Sequence, residues 1–244
     1  MTTRPGLSPD ALRADREQPL GVARLGTVGY LDAWELQRRL VAQRREADGR
    51  DALLLLEHPA VYTLGKRTDR AHLLYGETAR REHGIDLVEV DRGGDITYHG
   101  PGQLVGYPII KLASIRGVVD YVRALEEILI VALATFDLPG ERSEGYTGVW
   151  VGDEKIAAIG VRVASGGITS HGFALNVDPR MSDFDGIVPC GIRDRGVCSL
   201  ATLGREATVD EVADAIEAAT AQVLGATLEA IDPADLERRM EPSP

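Results

Sequence analysis

The densest run of turn-forming and polar residues is Arg92-Gly93-Gly94-Asp95-Ile96-Thr97-Tyr98-His99-Gly100-Pro101-Gly102-Gln103-Leu104, where five positions are Gly or Pro. Adjacent glycines let a backbone adopt positive φ and come close to a ligand. Residues 96 to 98 then read as a short strand that presents Tyr98 and His99 at its end. The pattern suits a substrate cradle. A pair of plain hairpin turns is the competing reading, and Arg92, Tyr98 and His99 are what favour the cradle. Lys155 is a second candidate, because Lys155, Ala157, Ile159, Val161 and Val163 alternate and would share one face of a strand. Such a lysine ordinarily reaches solvent along its methylene stem, and gains interest only with a reactive group opposite.

Cys190 lies in Ile187-Val188-Pro189-Cys190-Gly191-Ile192, where the flanking Pro and Gly argue against regular structure and for a loop that displays its side chain. A lone cysteine among apolar residues can equally be a small buried hydrophobe, and that reading is given to Cys198. The thiolate is the nucleophile, and an ordinary cysteine, with a pKa of about 8.5, is only a few per cent ionised at neutral pH. A nearby ammonium would therefore matter. Of the five histidines, His99 and His171 sit beside glycine-rich features, whereas His58, His72 and His83 show no grouping. None has metal-ligand spacing, so no metal is expected. The GxSxG elbow and the GxxxxGK[ST] phosphate loop are absent, which removes support for a serine hydrolase of that type and for a Walker-type nucleotide enzyme.

These groups need a scaffold. Residues 30 to 46 carry Ala33, Trp34, Leu36, Leu40 and Val41 on one helical face, with arginines turned away. Leu53 to Leu56 is a short apolar run of the kind buried on both faces of a sheet. Residues 118 to 136 repeat apolar positions at helical spacing up to Pro139-Gly140. Thr208 with Glu211 three residues on is a capping box, opening a helix that Gly225 closes. Runs at 147 to 151, 154 to 163 and 168 to 177, separated by Gly152-Asp153 and Ser165-Gly166-Gly167, predict an antiparallel meander. Without a regular βαβα alternation, the expectation is an α+β single domain, a mixed sheet flanked by helices. Residues 1–20 read as a mobile arm, 21–232 as the catalytic domain and 233–244 as a flexible tail.

Lys plus Arg number 27 against 38 Asp plus Glu, a net charge of −11 that disfavours nucleic acid as a partner. No apolar run is long enough to span a membrane and no signal core leads the chain, so a cytoplasmic location is expected. Two cysteines cannot build a disulfide framework and are read as free thiols.

Taken together, RGGDITYHGPGQLVGYPI at 92 to 109, EKIAAIGVRV at 154 to 163, HGFALNV at 171 to 177 and IVPCGI at 187 to 192 resemble the octanoyl-[acyl carrier protein]:protein octanoyltransferases, also called lipoate-protein ligase B. The order and spacing of all four blocks match, over residues 53 to 203. The resemblance implies a catalytic domain shared in outline with biotin and lipoate protein ligases, and no cofactor. It implies transfer of an octanoyl group from octanoyl-acyl carrier protein to a lysine of lipoyl domains of 2-oxoacid dehydrogenase complexes or of the glycine-cleavage H protein. Residue by residue, it makes Cys190 the acyl-thioester nucleophile and Lys155 the group that favours its thiolate. Arg92, Gly93, Gly94, Asp95, Ile96, Thr97, Tyr98 and His99, with Ala158, Ile159, Gly160, Gly172, Phe173 and Ala174, become acyl-substrate-binding segments. An ATP-dependent lipoate or biotin ligase is the nearest rival, disfavoured because adenylate chemistry needs no cysteine. A non-catalytic lipoyl-domain-binding scaffold is disfavoured because Lys155 and Cys190 are both present.

Overall fold

A computed structural model describes residues 12–46, 49–114, 117–192 and 195–238. In chain order its elements are β1 Leu20–Thr27, α1 Tyr30–Gln43, β2 Ala52–Glu57, β3 Val61–Leu64, α2 Glu77–His83, β4 Asp86–Glu89, β5 Ile96–His99, β6 Gln103–Ile109 and α3 Val118–Ala134. There follow β7 Glu141–Ser143, β8 Tyr146–Val151, β9 Glu154–Ala164, β10 Ile168–Asn176, β11 Gly196–Val197, α4 Val209–Leu224, β12 Leu228–Ala230 and α5 Pro233–Arg238.

The main sheet runs β12-β1-β2-β6-β10-β9-β8-β7, with β11 beside β9, and mixes parallel and antiparallel pairs. Alternation divides its side chains between two faces. Leu53, Leu55, Leu104, Phe173 and Leu175 pack on α3 and α4, whereas Leu54, Leu56, Val105, Tyr107 and Ala174 pack on α1. The expected run at 53 to 56 is thus buried on both faces because helices cover both. A smaller sheet, β4-β3-β5, lies beside it and carries the glycine-rich segment into place. The α+β expectation and the meander of β8, β9 and β10 are both present. So is the capping box: Thr208 Oγ1 accepts from Glu211 N–H at 3.2 Å, and Glu211 Oε2 accepts from Thr208 N–H at 2.8 Å.

Both ends of the chain differ from expectation. Residues 1–11 of the expected arm lie outside the described residues, but Leu12 and Arg13 are buried, and Arg13 bonds Asp51 at 2.8 Å. Asp51 also accepts from Arg44 Nε at 2.6 Å and from the Lys111 N–H at 2.9 Å. One buried carboxylate therefore ties the chain before β1 to the end of α1 and to the segment after β6, a long-range pairing that local composition does not encode. At the other end, residues 239–244 lie outside the description, but 233–238 form α5 rather than a loose tail. Asp232 Oδ1 caps it by accepting from Ala234 N–H at 2.9 Å, Pro233 stands at its first position, and Leu236 is buried against the α1 side of the sheet.

The Asp51 node sets a measurable expectation. Asp51→Ala leaves two buried guanidiniums facing each other and lowers the unfolding free energy by about 3–5 kcal/mol. Urea denaturation reads this, and a loss below about 1 kcal/mol, the value of an exposed pair, contradicts it.

Candidate active site

The four sequence blocks meet at one cavity of about 520 Å³ between the main and small sheets. Its floor comes from β9 and β10, where Ala158 pairs with Ala174 and Gly160 with Gly172. Small residues are needed there. A Cβ added to Gly160 would lie 3.1 Å from Gly93 O and 3.2 Å from Arg92 Cδ, so its absence lets the glycine-rich loop rest on the sheet. A hydrogen bond from Gly93 N–H to Val161 O, 3.0 Å, fastens that contact. Gly94 takes the positive φ expected of the pair, +93°, while Gly93 does not.

Lys155 reaches this cavity by a route the alternation did not foresee. The pairing of β8 with β9 passes from Val149↔Ala157 to Trp150↔Lys155, one step on β8 against two on β9. The extra residue is a β-bulge, so Ile156 and Ala157 both enter the α3-side core and the alternation reverses. Lys155 therefore lines the cavity beside Ala158 and Gly160, while Ala157 stays in the core. The ammonium is buried, sits 5.0 Å from the Trp150 ring centroid, and has no carboxylate partner among the described residues.

Cys190 occupies the tight turn Pro189–Gly191 with φ 56° and ψ 18°, a left-handed conformation that costs a side-chain-bearing residue about 1–2 kcal/mol. Its surroundings hold it. Val188 N–H donates to His72 O at 2.8 Å, Leu73 bridges to Ile187, and β5 packs against the turn. Where a Cβ on Gly191 would stand are Asp95 Oδ2, 2.8 Å away, and His72 Cε1, 3.0 Å away. Those two groups bond each other, His72 Nδ1 to Asp95 Oδ2 at 2.6 Å, and Asp95 Oδ1 accepts from Ile96 N–H at 2.7 Å. The pair joins the glycine-rich loop to the cysteine turn, a role that no local pattern around His72 marks.

Of the residues named from the sequence, Arg92, Gly93, Gly94, Asp95, Thr97, His99, Lys155, Ala158, Ile159, Gly160, Gly172, Phe173, Ala174 and Cys190 all line the cavity. Ile96 and Tyr98 do not. They alternate to the other face of β5, into a small core with Tyr62 and Phe184. The Tyr98 hydroxyl donates to Asp183 Oδ2 at 2.8 Å, which braces the segment leading to Cys190. Both residues thus support the turn from behind. Cys198 is 1% exposed in the main core, and burial pushes its thiol up to about 12.

Residues not named as site residues from the sequence complete the polar wall: Tyr30 from α1, Tyr107 from β6 and His171 from β10. His171 Nε2 donates to Asp91 Oδ1 at 2.9 Å, and burial holds its pKa below normal. His58, behind the wall, donates from Nδ1 to Val28 O at 2.7 Å and accepts from the Tyr107 hydroxyl at 2.7 Å. Burial lowers it to about 4, so it is neutral. Arg92 is buried and donates only to neutral groups, Gly93 O, Thr63 O and Thr63 Oγ1 at 3.0, 2.8 and 2.8 Å. The cavity thus holds a thiol, two buried cations without carboxylate partners among the described residues, and neutral imidazoles. Such a site disfavours a positively charged ligand. Among the described residues, no three His, Cys, Asp or Glu side chains converge as a metal site.

Comparison with known proteins follows the same lines. Residues 29–221 match the family described as the lipoyl protein ligase A/B catalytic domain. The chain is 55% identical over 218 residues to an octanoyltransferase of Mycobacterium sp. (strain KMS), covering 86% of this chain and 88% of that one. It is 52% identical over 214 residues to an octanoyltransferase of Rubrobacter xylanophilus, covering 86% and 96%. Among solved structures, lipoate-protein ligase A bound with ATP superposes with a TM-score of 0.74 at 16% identity, covering 91% and 94%. The bi-partite lipoate protein ligase of Thermoplasma acidophilum does so with 0.71 at 15% identity, covering 91% and 92%. These two share the fold.

The two thiols should part in a labelling experiment. Because burial disfavours the Cys198 thiolate, that thiol stays protonated and sealed at neutral pH. Iodoacetamide at pH 7.5, read by peptide mass mapping, should modify Cys190 in the native protein and Cys198 only after denaturation. Native labelling at Cys198 first would contradict this.

Proposed function

Because the chain belongs to the lipoyl protein ligase A/B catalytic-domain family, and within it to the octanoyltransferases, we propose that it carries an octanoyl group as a thioester on Cys190. From there the group passes to a lysine of a lipoyl domain. The observation that carries the reading is the convergence of Cys190, Lys155 and the glycine-rich loop on one cavity. The donor in this proposal is octanoyl-acyl carrier protein. The acceptors are lipoyl domains of 2-oxoacid dehydrogenase complexes and the glycine-cleavage H protein, and the reaction belongs to the cytoplasm, where free thiols are kept reduced.

In the first half-reaction the Cys190 thiolate attacks the donor thioester carbonyl and the carrier sulfur leaves as a thiolate, so Lys155 keeps its proton. One thioester replaces another, so little bond energy is lost and no nucleotide is needed. Lys155, an ammonium buried on the same cavity face, favours the thiolate and the negative charge of the tetrahedral intermediate. The left-handed turn at Cys190, backed by the Asp95–His72 pair, holds the cysteine at the cavity wall, where the donor carbonyl would meet it. In the second half-reaction the lysine amine displaces the thiolate, which Lys155 again receives.

The reading is tested by supplying apo lipoyl domain and octanoyl-acyl carrier protein with nucleotide removed by apyrase. Octanoylation should proceed at the same rate with and without ATP. Transfer that depends strictly on ATP would replace this reading with a ligase that activates the free acid.

A further inference from the structure

The second half-reaction releases a proton from the attacking amine, and the cavity has to contain a group that takes it. Lys155 as an ammonium has three donors and no lone pair, and Arg92 and Arg67 are cations as well. Tyr30, Tyr107 and Tyr146 are phenols, acids rather than bases at neutral pH. Asp95 has both oxygens engaged, with His72 and with the Ile96 N–H. His171 keeps a bare Nδ1, but that atom is sealed from the cavity.

His99 is different. A main-chain carbonyl, Cys198 O, can only accept, so the Asn176 amide must donate to it through Nδ2, at 2.8 Å. That leaves Asn176 Oδ1 to accept from Gln103 Nε2 at 2.9 Å, and Gln103 Nε2 donates to Tyr98 O as well, at 3.2 Å. Gln103 Oε1 is then left to accept from His99 Nδ1 at 2.7 Å. The amide orientations and the imidazole tautomer follow from one fixed acceptor at the end of the chain. The proton sits on Nδ1, so Nε2 carries the lone pair, and Nε2 has no hydrogen-bond partner among the described residues and is not a sealed atom. The ring lines the cavity, and β5 packs against the cysteine turn. Burial, His58, Arg92 and His171 all disfavour its charged form, while Tyr30 stacks over it at 5.9 Å.

We propose that His99, oriented by the Gln103–Asn176–Cys198 relay, is the general base of the second half-reaction, accepting the proton of the acceptor lysine at Nε2. The assignment rests on the acyl-thioester reading above and divides the labour within it: Lys155 serves the sulfur, His99 serves the nitrogen. The cations Arg92 and Lys155 admit the lysine as a neutral amine. Its nitrogen forms the C–N bond, the C–S pair returns to sulfur as thiolate, and one N–H proton passes to His99 Nε2 and then to solvent through the cavity mouth.

The test isolates the two half-reactions in His99→Gln and His99→Phe. Acylation of Cys190 by octanoyl-acyl carrier protein, followed as a burst by mass spectrometry, also reports whether each variant is folded. The expected result is a burst within about threefold of wild type, with transfer from the preformed acyl-enzyme to lipoyl domain slowed about 100-fold or more. Without the internal base, hydroxide must serve both the amine and its adduct, so the rate should climb more steeply with pH than in wild type. Gln103→Met, which frees the ring but leaves it in place, should give an intermediate loss. Transfer at the wild-type rate and pH dependence would overturn the assignment, as would a burst that collapses in step with transfer. Absence of any acyl-enzyme in the wild type would instead refute the thioester reading itself.

Discussion

A patch of sheet that carries only alanine and glycine is the constraint on which the site depends. Ala158 opposite Ala174 and Gly160 opposite Gly172 leave the middle of β9 and β10 bare on the α1 side. Into that space come the Gly93 carbonyl and the aliphatic stem of Arg92, close enough that a methyl at Gly160 would crowd both. The loop so docked brings Asp95 to the cysteine turn, and Asp95 with His72 fills the place a side chain on Gly191 would need. Floor, loop and cysteine turn are thus fixed in succession, each by the close approach the previous one permits. The β-bulge at residues 156 and 157 adds the last member by turning Lys155 onto the same face.

Charge distribution in the cavity is the second organising feature. Buried cations are ordinarily matched by carboxylates, because an unmatched one is costly to desolvate. Elsewhere among the described residues the rule holds and buried charges are matched, as with Asp51 between the buried Arg13 and Arg44, and the buried Glu126 between Arg123 and Arg142. Lys155 and Arg92 break it among the described residues, and both line the cavity. In the proposed reaction a thiolate and a developing oxyanion would supply that missing negative charge. The imidazoles around them stay neutral, as burial and the neighbouring guanidinium require.

Much of this was legible in the sequence, and the exceptions have physical causes. Helix limits followed from periodicity and caps, as at Thr208 and Gly225, because those signals are local. The cavity residues were found as blocks of glycine, proline and polar side chains, since close backbone approach requires such residues. Alternation placed Lys155 with the wrong neighbours, because a bulge depends on the partner strand and leaves no mark on its own strand's composition. Tyr98 looked like a cavity residue and turned out to brace Asp183, since only the register of β5 on β3 decides which face it takes. His72 and Tyr30 join from distant segments, and the buried ends at Arg13 and Leu236 depend on tertiary pairing, so no local pattern could mark them.

The central claim is that Cys190 itself carries the acyl group. The most direct measurement incubates the chain with octanoyl-acyl carrier protein, quenches in acid, and maps the adduct by intact-mass and peptide analysis. The account predicts a single octanoyl group on the Cys190 peptide, released by hydroxylamine as a thioester is and lost when apo lipoyl domain is added before the quench. An adduct on Cys198, or lipoyl-domain octanoylation with no protein-bound intermediate in Cys190→Ala and wild type alike, would contradict it.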